Sequence, residues 1–116
     1  MWKGEKMEQY IPMVKRGTVS RVPVNQVVYI TRARRKIRIV TMDGPVEFYE
    51  KMENVHPFLD KRFYSCLNSL IINMDRVEKM ENQTIYFANG EEVSIGRDSY
   101  IRSRQWFAAY LKKLTI

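Results

Sequence analysis

The sequence predicts a single mainly β domain with short helices near residues 51–59 and 99–113. Three observations carry that reading. Segments rich in β-branched and aromatic residues recur along the chain, as in Val27-Val28-Tyr29-Ile30, and such residues suit the pleated, half-buried surface of a sheet. Dipeptides suited to reversals separate those segments: Arg16-Gly17, Asp43-Gly44, Asn82-Gln83 and Asn89-Gly90. Apolar residues at helical spacing are confined to two places. With 116 residues, 45% of them hydrophobic and 28% charged, the chain can bury one core without disulfides or metal.

Residues 1–10 are polar and read as an N-terminal arm, with the folded domain spanning 11–116. Ile11 to Val24 reads as two short strands about Arg16-Gly17, ended by Pro23. After the buried strand at Val27–Ile30, the segment Thr31 to Ile39 places five basic residues between Arg32 and Arg38. From Lys36 it alternates, so Ile37 and Ile39 share one face of a strand while Lys36 and Arg38 point to the other. Asp43-Gly44 then turns the chain and Val46–Tyr49 returns antiparallel. Glu50 to Leu59 has helical character, with Met52, Val55 and Leu59 on one stripe and Pro57 limiting its length.

The stretch Arg62 to Val77, R-F-Y-S-C-L-N-S-L-I-I-N-M-D-R-V, sets two asparagines and two serines among apolar residues. An asparagine amide carries the donor and acceptor pattern that matches the N6/N7 edge of adenine. Polar strand or turn positions explain Asn68 and Asn73 equally well. Three further strands follow as a meander, 76–81, 84–88 and 91–95, with Asn89-Gly90 expected to form a type I′ turn. Asp98 then caps a helix from Ser99 onward, placing Tyr100, Phe107, Leu111 and Leu114 on one side and Lys112 and Lys113 at its negative end.

The net charge of +7 is unevenly spread. Residues 1–42 carry ten Lys/Arg and two acids, residues 43–96 five and ten, and residues 97–116 five and one. A fold that brings the two ends together creates a positive face, the footprint of a polyanion binder. No apolar run has the length of a membrane span, and the start lacks the apolar core of a signal peptide. One cysteine agrees with a reducing compartment, so a cytoplasmic location is expected.

Site chemistry of other kinds has little support. His56 and Cys66 are the only residues of their types, and no ligand set at metal spacing surrounds either one. The glycines form no phosphate-binding fingerprint. No catalytic residue, metal or cofactor is assigned.

The order and spacing of these motifs resemble the LytTR family of bacterial DNA-binding domains. The resemblance covers about residues 11–114. It rests on the 62–77 stretch, on the basic strand after V-V-Y-I, on T-M-D-G-P-V-E-F-Y (41–49), and on G-E-E-V-S-I-G-R (90–97) followed by a helix. It implies an elongated set of small antiparallel sheets with short helices, binding promoter DNA through loops rather than a recognition helix. Carried over residue by residue, it assigns base contacts to Lys36, Asn68 and Arg97, and phosphate contacts to Arg32, Arg34, Arg35, Arg38, Ser69 and Arg102. Ser69, Ile71 and Asn73 match the family pattern. Ser65, Leu67 and Leu70 stand where the family often has Arg, His and Tyr, so those contacts are not carried over.

The implied partner is double-stranded DNA carrying direct repeats, with two copies per operator and dimerisation before DNA left open. Family members commonly follow a phosphorylated receiver domain, and none is present in this sequence. A stand-alone regulator controlled by abundance or by a partner protein is therefore expected, with a fragment as the other reading. The alternative function is a nonspecific polyanion binder for RNA or an anionic membrane surface. For RNA, the stacking candidates are Tyr29, Phe48, Tyr49, Tyr86 and Phe87.

Overall fold

The computed structural model describes residues 9–114. Most of the expected N-terminal arm, residues 1–8, lies outside that range, and Tyr10 already belongs to a strand. The first hairpin joins β1 (Tyr10–Lys15) to β2 (Thr18–Pro23) about Arg16-Gly17, with Gly17 at φ +80° where a side chain would be strained. A 3-10 turn leads to β3 (Val27–Ala33), followed by β4 (Lys36–Thr41) and β5 (Gly44–Tyr49). Helix α1 (Met52–Val55) and a 3-10 turn at His56–Phe58 take the place of the expected 51–59 helix, because Pro57 stops its growth. Strands β6 (Phe63–Leu67) and β7 (Leu70–Asn73) come from the 62–77 stretch. The meander is β8 (Val77–Glu81), β9 (Thr84–Phe87) and β10 (Glu92–Ser94), and helix α2 (Arg97–Leu114) ends the described chain.

Strands β5-β4-β3-β7-β6 form one antiparallel sheet, β10-β9-β8 a second, and β1-β2 a third. The whole is a slab of 43 × 40 × 24 Å. One core cluster lies under the first hairpin and α1, where Ile11, Val22, Ile30, Ile37, Ile39, Phe48 and Met52 meet. The other lies between the large sheet, the meander and α2, and includes Val28, Val40, Leu70, Ile72, Ile85, Phe87, Tyr100 and Phe107. The large sheet is therefore covered on both faces, and all four residues of β7 are buried.

Four local expectations are corrected. The basic segment is not one strand. β3 runs on to Ala33, Arg34-Arg35 turn the chain with Arg34 at φ +61°, and β4 starts at Lys36. The reversal sets Ile30 against Ile39 in the core, which an uninterrupted strand could not do. The second reversal falls on Met42-Asp43 rather than Asp43-Gly44, since Thr41 pairs with Gly44 and the Thr41 hydroxyl donates to the Gly44 carbonyl at 2.7 Å.

The pair of positive φ angles that marks a type I′ turn is at Asn82 and Gln83 (52° and 63°). In Asn89-Gly90 only Gly90 is positive, because the Asn89 side chain accepts from the Glu91 amide at 3.1 Å in a wider loop. Finally, α2 begins at Arg97, two residues early, and Leu111 is 43% exposed; Ser103 and Tyr110 fill the buried face beside Tyr100 and Phe107.

Candidate nucleic-acid interface

The basic residues and the two asparagines are sorted by the register of the large sheet. Lys36 pairs with Ala33 across the Arg34-Arg35 turn, and Thr31 pairs with Leu70. The Arg32 amide donates to the Ser69 carbonyl at 3.2 Å. These pairings put the β3–β4 tip and the Asn68-Ser69 turn at the same end of the sheet, two strands or about 10 Å apart. Arg32, Arg34, Arg35, Asn68 and Ser69 are all exposed there.

Strand β6 bulges at Cys66, so that Ser65 pairs with Ile71 and Leu67 with Leu70. The bulge turns the thiol inward, where burial raises its pKa and Ser103 lies beside it. Cys66 is thus a small buried hydrophobe, not a nucleophile. The same contact orients α2. Cys66 meets Ser103, and Tyr64 meets Trp106 with ring centroids 5.7 Å apart. Helix and strand therefore run in opposite directions. From those contacts β6 advances about 7 Å to Asn68 while α2 recedes about 9 Å to Arg97, so both finish at one end. Arg97 lies on the flank of α2 that faces Asn82 and Gln83, where a shallow hollow of about 480 Å³ also takes in Ile101 and Arg104. Arg102 is exposed on the opposite flank.

The remaining assigned residues are less open. Lys36 is half-buried, and its Nζ lies over the Tyr49 ring, 5.0 Å from the centroid. Arg38 lies two pairs further in, between Thr31 and Glu47. Its Nε is buried without a hydrogen-bond partner. The three tip arginines Arg32, Arg34 and Arg35 line a groove of about 780 Å³ with Tyr49, Lys51, Asn54 and the carboxylates Glu50 and Glu53. Lys51 and Asn54 have no role in the sequence reading, and Tyr49 only that of a stacking candidate for RNA. The pairing of Lys36 with Tyr49 follows from the hairpin register, which the misplaced turn at residue 43 obscured.

Asn73 is different from Asn68. It is fully buried, its Nδ2 donates to the Val27 carbonyl at 2.8 Å and its Oδ1 accepts from the Asp75 amide at 2.9 Å. Its role is to join β7 to β3 and cap the turn after it. Of the aromatic residues considered as base-stacking platforms, Phe48 and Phe87 are core, Tyr29 packs on Phe87 at 5.0 Å and bonds Glu91, and Lys79 covers Tyr86. Tyr49 alone among them is open, at 70%. Among the described residues no three His, Cys, Asp or Glu gather as metal ligands, and no helix is long and apolar enough to cross a membrane.

The pattern of the LytTr DNA-binding domain matches residues 17–108. The chain belongs to the LytTR family. Accessory gene regulator protein A of Staphylococcus epidermidis, in two strains, is 30% identical to this LytTR domain over 83 residues, 67% of the chain and 34% of the regulator. The chain thus spans about a third of the length of those relatives. A LytTr DNA-binding domain from Bacillus cereus superposes with a TM-score of 0.68, covering 86% of this chain and 97% of that one at 17% identity, which shows a shared fold. As a LytTR domain the chain belongs to a family of DNA-binding domains.

Proposed function

We propose that this LytTR domain is a sequence-specific transcriptional regulator. It reads promoter direct repeats in the major groove through Lys36, Asn68 and Arg97. Arg32, Arg34, Arg35, Arg38, Ser69 and Arg102 hold the flanking phosphates. The observation that carries the reading is the gathering of exposed donors from a hairpin tip, a β-turn and a helix start at one end of the slab. Arginine and lysine match guanine O6/N7, and an asparagine amide matches adenine N6/N7. A groove about 12 Å wide accepts a two-stranded β-ribbon. Of the five rings weighed as stacking platforms Tyr49 alone is open, which favours duplex DNA over single-stranded RNA.

In this reading two copies occupy one operator, since one small reading surface gathers limited specificity. The protein works in the cytoplasm, with a partner protein or its own abundance as the input.

Selection from a random duplex library, followed by sequencing, tests the proposal by returning an enriched repeat. On that duplex Asn68→Ala and Arg97→Ala each cost about 1–3 kcal/mol, with little loss on a scrambled duplex. Arg32→Ala or Arg34→Ala weakens both duplexes alike, and the slope of log affinity against log salt falls by roughly one per lost phosphate contact. A folded protein that binds at low salt without enriching any motif would be a general polyanion binder, and base reading would be wrong.

A further inference from the structure

We propose that Tyr49 is a positioning residue for Lys36, holding its ammonium group at the DNA-facing end before DNA arrives. The inference rests on the base contact proposed for Lys36 and adds a residue to it. Lys36 opens β4 and Tyr49 closes β5, and the two are directly paired, so their side chains rise from the same face of the sheet. The Lys36 Nζ lies 5.0 Å from the ring centroid, within the range at which the negative face of the ring attracts a cation.

Two features show that the ring is not there for the core. It is 70% exposed and belongs to neither buried cluster. Lys36 by contrast is half-buried, although it sits at the open end of a hairpin among arginines that are exposed. A lysine side chain has four rotatable carbons and pays entropy when it is ordered by a ligand. Lying on Tyr49, it pays part of that cost in the free protein. One side of the ammonium faces the ring and the other N–H bonds remain free for a guanine edge, so the two contacts are compatible.

The test uses Tyr49→Phe, Tyr49→Leu, Lys36→Met and the double variant Tyr49→Leu/Lys36→Met. The probes are the duplex recovered by selection and a scrambled duplex of equal length. Tyr49→Leu is expected to weaken the selected duplex by about two- to fivefold. Tyr49→Phe keeps wild-type affinity, since the ring remains. Adding Tyr49→Leu to Lys36→Met causes no further loss. An equal loss from Tyr49→Leu in the Lys36→Met background would mean that Tyr49 touches DNA itself, and would overturn the positioning role. So would an unchanged affinity for Tyr49→Leu while Lys36→Met is impaired.

Lys36→Met without effect on the selected duplex would instead remove the base contact of Lys36, and with it any role for Tyr49. A second readout needs no DNA. The ε-methylene protons of Lys36 are expected upfield, shielded by the ring, in the wild type and Tyr49→Phe and at ordinary shifts in Tyr49→Leu. Ordinary shifts in the wild type would show that the lysine does not rest on the ring.

Discussion

Asn68 and Asn73 stand five positions apart and offer the same chemistry, so substituting each in turn separates reading from holding. Asn73→Ala removes the bond to the Val27 carbonyl at 2.8 Å and the bond from the Asp75 amide at 2.9 Å. The first loss is the larger, because the carboxamide is wholly buried and no water takes its place on Val27. The second is partly recovered, since Asp75 is exposed. Adding the two bonds to the cost of one stranded carbonyl gives about 3 kcal/mol. For a domain of this size that lowers the melting temperature by roughly 10 °C. Asn68→Ala, at an exposed turn position, changes stability by less than about 0.5 kcal/mol. Urea unfolding followed by circular dichroism measures both. The reasoning fails if Asn73→Ala costs under about 1 kcal/mol, or if Asn68→Ala costs as much as Asn73→Ala.

Two other outcomes follow from the same geometry. Arg34 holds φ +61°, a conformation that asparagine tolerates better than arginine. Arg34→Asn is therefore expected to keep or raise stability by up to about 1 kcal/mol in urea titration while weakening DNA binding without changing the selected motif. Burial and the Glu91 carboxylate 2.6 Å away push the Tyr29 pKa up to about 12. A phenol with a raised folded pKa gives its full stabilisation below pH 10 and loses it as the pH climbs towards 12. Alkaline unfolding monitored by tyrosinate absorbance is expected to show this loss in the wild type and a smaller one in Tyr29→Phe, where Tyr110, raised by burial and by its bond to Asp75, still contributes.

Much of this fold was legible in the sequence because alternation and turn chemistry agreed along most of the chain. The first hairpin about Arg16-Gly17, the meander and the stripe of Met52 and Val55 all rest on such agreement. Where the reading slipped, a local signal was missing or was overruled by packing. Arg34-Arg35 contains none of the residues that favour a reversal, so the tip was hidden inside a basic run that looked like one strand. Leu70–Asn73 is buried on both faces, so alternation could not tell which of the two asparagines points inward. The candidate site was legible as a set of residue types. Its geometry was not, because the placing of Asn68 and the start of α2 at one end depends on the bulge at Cys66 and its contact with Ser103, which no short-range pattern announces.

The Asn68 turn belongs to the large sheet, while Arg97 follows the meander and is tied to it by the Ile95 amide donating to the Gln83 carbonyl at 3.0 Å. No strand pairing joins those two sheets; they meet through the side chains of Val28, Ile72, Ile85, Phe87 and Phe107. The thickness of that apolar layer is therefore the gauge that sets how far apart Asn68 and Arg97 stand. Trimming or enlarging a residue such as Ile85 shifts one sheet against the other by a fraction of an ångström, and close-packed interiors pass such shifts on. Variation deep in the protein could thus retune the preferred spacing along a duplex without altering a single exposed residue.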